Sequence, residues 1–264
     1  VLGDTGFASL AAGKPILALE GKDDIDILKL LRPDIEHSFA LLPLGGKGRI
    51  VKFDEAFGNV MSELALRGFK IFAILDKNSE TSVTSDVVFT WPKACIENLL
   101  LVDSEAIHEA LKVTVGEAEL QGMGIHSKEE IDDLIDRMIR EPEIAEEEIR
   151  NRMKHQLRFH IGDDWKTLEE LEKIASEILE KKVSRIRELH GKLSKEISQI
   201  VSDRKRALEE LDGKIIMGRM AKEFKLKREI LARAIADRLR ILGRVPSEAT
   251  EIIAKIESSA RKRT

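Results

Sequence analysis

Two apolar runs in this chain end on an acid. Ile16-Leu17-Ala18-Leu19 leads straight into Glu20, and Ile71-Phe72-Ala73-Ile74-Leu75 leads straight into Asp76. Runs this short and this uniformly apolar suit strands covered on both faces, which occur in parallel sheets flanked by helices. The intervening segments have the matching character. "DDIDILKLLRP" carries Ile25, Leu28 and Leu31 at helical spacing and stops at Pro33. "SFALLPLGG" reads as a second strand closed by glycines, "IVKFDEAFGNVMSELALRG" as a second helix ending at Gly68, and "DVVFTWP" as a short fourth strand. Strands alternating with helices of this length make βαβ units, so the expected class is α/β.

Beyond about residue 100 the pattern becomes helical. "SKEEIDDLIDRMIR" opens with Ser127 and Glu130, the spacing of a capping box. Residues 165–211 are charged and almost free of breakers. Leu189, Leu193, Ile197, Ile200, Leu208 and Leu211 form a stripe that predicts a long helical hairpin, or a seam through which copies of the chain associate. Gly213 breaks the stripe, and further helices divide near "GRVPSE". The expected layout is an α/β core over 1–112 and a helical region over 113–264, with the arm at 165–211 and C-terminal helices at 212–264.

Composition excludes several functions. One cysteine, Cys95, rules out a disulfide framework and a cysteine zinc site. No apolar run approaches the length of a membrane span. "VLGDTGFASLAAGK" lacks the basic start of a signal peptide, so a cytoplasmic location is expected. The chain lacks Gly-x-x-x-x-Gly-Lys-[Ser/Thr], so it should not hydrolyse ATP itself. The net charge of −4 hides a split: residues 1–180 sum to −15 and residues 181–264 to +11. A basic segment joined to an acidic body fits a polyanionic partner or a solvated helical surface.

The acids at the strand tips carry the chemistry. In a parallel sheet the C-terminal strand ends form one rim, where ligands bind. Glu20 and Asp76 reach that rim, and Asp24, four residues after Glu20, can face the same point. Crowded carboxylates repel unless a cation lies between them, and oxygen ligands suit Mg²⁺ or Mn²⁺. The competing explanation is helix capping, since acids are common at helix N-termini.

Taken together, "ILALEGKDDIDILKLL" and "FKIFAILDKN" resemble the Toprim fold of topoisomerases, bacterial primases and OLD-family nucleases. That fold is Rossmann-like, with a glutamate after its first strand and an Asp-x-Asp motif after its third. Glu20 matches the glutamate and Asp76 the first aspartate, while Asn78 replaces the second. The Glu20–Asp24 spacing and "FTWPKACIENLLL", which contains Glu97, resemble the OLD type, whose Toprim modules accompany AAA/ABC-type ATPases. "LPLGGKGRI" resembles the glycine-rich stretch between motifs, and "LDGKIIMGRMAKEF" a terminal Gly-Lys element that includes Lys214.

The resemblance implies a metal-dependent nuclease acting on DNA or RNA with an ATPase domain or subunit, in defence or repair. Its metal ligands would be Glu20, Asp24, Asp76, Asn78 and Glu97. Lys214 would act at the reacting phosphate beside Glu20 and Asp76, and Lys22 and Lys47 would hold phosphate. The glycines around Lys47 equally suit a plain turn. The chain has no tyrosine, so it lacks the nucleophile of a Toprim topoisomerase. The alternative expectation is an inactive Toprim scaffold that binds nucleic acid or docks an ATPase.

Overall fold

The computed structural model describes residues 13–44, 70–77, 87–156 and 168–262. The helix expected over 50–68 lies outside them, as do Lys47 and Asn78. The apolar runs form strands: β1 (Ile16–Leu19), β2 (Ala40–Pro43), β3 (Ile71–Leu75) and β4 (Val88–Thr90). All pairings are parallel, in the order β2-β1-β3-β4. Ile16 pairs with Ala40 on one side and Ile71 on the other, and Leu19 pairs with Pro43 and Ile74. The two runs that end in acids are therefore the two central strands. They are also the buried ones: Leu17, Ala18, Leu19, Phe72, Ala73 and Ile74 have almost no exposure. Each large side chain among them contributes roughly 1.5–3 kcal/mol by leaving water.

The α/β core also contains α1 (Lys22–Leu31) and the single turn α2 (Ile35–Ser38). α1 turns Ile25, Ile27, Leu28 and Leu31 inward. Trp91 is buried directly after β4, and its backbone N–H donates to Leu75 O at 3.0 Å, which prolongs the β3–β4 pairing beyond the strand. A helical region follows: α3 (Ile96–Leu100), α4 (Ser104–Thr114), α5 (Glu117–Gly122), α6 (Lys128–Ile139) and α7 (Pro142–Gln156). Ser127 is the N-cap of α6, as expected, and its Oγ accepts from Glu129 N at 3.2 Å rather than from Glu130 N. Then come α8 (Leu168–Val201), α9 (Arg204–Glu210), α10 (Gly213–Glu223), α11 (Arg228–Ile241) and α12 (Ser247–Lys262).

The helical half does not stand apart from the core. α11 packs against α1 and α4, and α10 packs against α3, α6 and α11. One apolar cluster runs from Leu17 and Phe72 through Leu111 to Ile216, Ile235 and Ile253. The long arm differs in detail from expectation. Residues 168–201 form one continuous helix, which packs most extensively on α7, outside the 165–211 stretch, and less extensively on α9 within it. The stripe continues into α9 only after the break at Ser202 and Asp203, whose carboxylate caps the new helix at Arg206 N. Gly213 opens α10, so the glycine that reads as a break is the start of the helix that matters most for the site.

Candidate functional site: carboxylates around a buried lysine

In the order β2-β1-β3-β4 the chain continues from β1 to the strand on one side and from β3 to the strand on the other, so the carboxyl ends of β1 and β3 flank the point where sheets of this kind open a ligand crevice. Glu20 and Asp76 stand at that crevice, one residue beyond each strand. Their exposures are 5% and 1%. Asp24 enters from the first turn of α1. Its Oδ2 accepts the Gly21 N–H at 2.7 Å, which turns the carboxyl back towards the β1 end, and its exposure is 3%. Glu97 comes from the first turn of α3 and is 1% exposed. Glu97 Oε2 has no hydrogen-bond partner among the described residues.

The fifth member arrives from far along the chain. Lys214 lies in the first turn of α10, and its Nζ donates to Asp76 Oδ2 at 2.7 Å. Burial is the largest single influence on this ammonium and pushes its pKa down. The charges of Asp76, Glu97, Asp24 and Glu20, in that order, outweigh it and hold the pKa above the ordinary lysine value. The structure thus brings Glu20, Asp24, Asp76, Glu97 and Lys214 into one electrostatic unit. The carboxyls answer in kind. Burial pushes Asp24 up to about 6, against the pull of Lys214 and with added repulsion from Asp76. Burial likewise pushes Glu97 up to about 7, against Lys214 and with repulsion from Asp24 and Asp76.

A lysine in the first turn of a helix opposes the helix dipole. A local cap offsets that cost: Asp212 Oδ1 accepts the Lys214 N–H at 3.0 Å. The position of the turn is fixed by Asn98, which is fully buried beside Glu97. Asn98 Nδ2 donates to Leu208 O and Leu211 O, both at 2.9 Å. Its Oδ1 accepts from Cys95 N at 3.0 Å and Gly213 N at 3.1 Å. One amide therefore ties the start of α3, which carries Glu97, to the start of α10, which carries Lys214. The approach is so close that a Cβ on Gly213 would lie 2.7 Å from Asn98 N. Glu148 adds a second tie, accepting the Asp212 N–H at 3.1 Å and pairing with Arg152 at 2.7 Å. Arg152 also donates to Glu210 O at 3.0 Å.

Lys22 is exposed at the first position of α1, on the same rim but outside the buried cluster. Cys95 is buried among these acids. Burial, reinforced by the charges of Glu97, Asp76 and Asp212, raises its thiol well above the ordinary value, and its Sγ donates to Asn98 Oδ1. Sequence reading missed Asn98, Asp212 and Gly213 as positioning residues. The Asp-Gly-Lys order did hold a usable signal, an aspartate placed to cap the helix that follows.

The donor set suits a hard divalent cation in kind: four carboxyls from three chain segments, with Glu97 Oε2 lacking a hydrogen-bond partner. In spacing, no group of three or more His, Cys, Asp or Glu side chains among the described residues stands ready to share an ion. Lys214 provides the cation in this arrangement. Comparison with known proteins returns no matching family, no matching characterised protein and no matching solved structure. Among the described residues, no helix is long and apolar enough to cross a membrane.

Proposed function

We propose that this chain is a Toprim module of the OLD-like nuclease type, which cleaves phosphodiester bonds in DNA or RNA with Mg²⁺ or Mn²⁺. The observation that carries the reading is the convergence of Glu20, Asp24, Asp76 and Glu97 on Lys214 at the crevice between the central strands. These four acids would hold the ion, with Asn78 as a further oxygen ligand. A bound ion supplies an activated water and charge stabilisation for an in-line displacement. Lys214 faces the same point with a proton held firmly on Nζ, so it can offset charge growing on a phosphoryl oxygen. Lys22 and Lys47 would engage phosphates at the rim. The surplus of positive charge over residues 181–264 supports a nucleic-acid partner. The expected co-worker is an AAA/ABC-type ATPase domain or subunit in a cytoplasmic defence or repair role, with self-association through α8.

One observation favours a second reading. The carboxylates lack the spacing of a ready metal centre, and Lys214 already balances them. That is also what a non-catalytic scaffold, binding nucleic acid or docking an ATPase, would show. A cleavage assay with Mn²⁺ on plasmid, single-stranded DNA and tRNA separates the two. Cleavage by the wild-type chain that disappears in Glu20→Gln supports the nuclease. Full activity in Glu20→Gln refutes the assignment of the site.

A further inference from the structure

α8 is 34 residues long, so it extends over about 50 Å. Its C-terminal end is held in the body, where Leu193, Ile197 and Ile200 are buried. Residues 180–192, upstream of that end, include no buried side chain. Lys181, Arg185, Lys192 and Lys195 are all exposed and follow one another at steps of four, seven and three. Those steps place them within about 80° of arc on one helix face, along about 21 Å of axis. None of the four makes an ion pair or hydrogen bond among the described residues. Elsewhere in the helical half, Arg137, Arg204, Arg219 and Arg244 each face a carboxylate. Glu188 lies on the same face of α8, and Glu196 borders it but is taken by Arg152 at 2.6 Å, so the face keeps a surplus of positive charge. Ile186, Leu193 and Ile197 lie on the opposite face, so association of two copies through the apolar side leaves the basic side open.

We propose that this face of α8 carries the phosphate backbone of duplex nucleic acid, with Lys181, Arg185, Lys192 and Lys195 as the phosphate contacts. A straight row of cations without carboxylate partners matches a straight row of phosphates. A DNA duplex supplies one, since each strand carries a charge about every 3.4 Å and offers about six over that length. The stretch 181–195 holds no aromatic side chain on which unpaired bases could stack. This assignment rests on the nucleic-acid partner of the proposed function and requires neither a metal ion nor cleavage.

Binding of labelled 30-base-pair DNA and RNA duplexes and of the single DNA strand, measured in EDTA across a salt series, tests the proposal. The variant carrying Lys181→Gln, Arg185→Gln, Lys192→Gln and Lys195→Gln should bind duplex at least about tenfold more weakly at low salt, with a log–log salt slope smaller by about three to four. Glutamine keeps the helix propensity of these positions, which circular dichroism checks. A control carrying Lys128→Gln, Lys222→Gln, Lys225→Gln and Lys255→Gln loses as much charge from exposed positions elsewhere, and should stay within about threefold of wild type. Bound duplex should also slow acetylation of Lys181, Lys192 and Lys195 in the wild-type chain several-fold, a measurement that stands even where the α8 variant fails to fold. Unchanged affinity and slope in the folded α8 variant, an equal loss in the control, or unchanged acetylation overturns the assignment of this face and leaves a nucleic-acid partner in place. Tighter binding of the single strand than of either duplex overturns the choice of duplex. Absence of binding by the wild-type chain overturns the face and the nucleic-acid partner together.

Discussion

Asp76 and Lys214, 138 positions apart, meet at 2.7 Å, the carboxylate buried and the lysine about one-fifth exposed. One ends a central strand and the other begins a C-terminal helix, so the ion pair joins the α/β core to the helical half. Its consequences for stability and activity can be measured.

Lys214→Met should destabilise the metal-free chain by about 3–5 kcal/mol at neutral pH, because it leaves Asp76 buried without this ammonium. Urea unfolding followed by circular dichroism measures the loss. The loss should shrink near pH 5, where Asp24 and Glu97 hold their protons.

The two raised carboxyls make the fold sensitive to pH in a fixed direction. An acid whose pKa is higher when folded binds its proton more tightly in the folded chain. Its stabilising contribution is therefore complete below the unfolded value and lost as pH rises through the folded one. For Asp24 the window runs from 3.8 to about 6, and for Glu97 from 4.5 to about 7. Stability of the metal-free chain should fall between pH 4 and pH 7. Glu97→Gln should raise the melting temperature at pH 8, by the equivalent of about 1–3 kcal/mol, and change it little at pH 4. A variant that melts lower than wild type at pH 8 would contradict this account.

Asn98→Ala strands Leu208 O, Leu211 O and Gly213 N in the interior. A cost of about 3–5 kcal/mol is expected, since each buried group left unpaired costs roughly 1–3 kcal/mol and neighbouring losses are not additive. Gly213→Ala should cost about 2–3 kcal/mol through its collision with Asn98. Because that collision pushes α10 away, it should also lower Mn²⁺-dependent cleavage in chain that is still folded by circular dichroism.

Asp76→Asn should reduce Mn²⁺-dependent cleavage by a factor on the order of 10²–10³, the size typical of losing one key electrostatic contact. Its far-ultraviolet spectrum should match wild type. Retention of full cleavage would remove Asp76 from the chemistry.

Nucleic-acid binding should weaken steeply as salt rises from about 50 to 200 mM, because phosphate contacts release counterions. Binding measured in EDTA should persist in Glu20→Gln. Salt-independent binding would mean that the excess of lysine and arginine over residues 181–264 is a solvated surface and nothing more.

Much of the core was legible because its signals are local. Runs such as Ile16–Leu19 and Ile71–Leu75 have no stable place except a strand covered on both faces, and the acid after each must then fall at the same edge. The capping position of Ser127 was equally local. The partner of α8 was not. An apolar stripe states that a helix face is covered without naming its cover, and α7 was selected through packing and through the Arg152–Glu196 pair at 2.6 Å.

The sequence by itself determined which acids sit at the ends of buried strands, because alternation of apolar runs and amphipathic helices leaves a parallel sheet with one acidic rim. Only the tertiary structure decided what balances that rim. Asn98 binds the backbone at Leu208, Leu211 and Gly213, those contacts set the start of α10, and Lys214 is thereby delivered to Asp76. A long-range hydrogen-bond clamp of this kind leaves no periodicity to read. Its free energy comes from burying polar groups that are satisfied only when two distant segments meet.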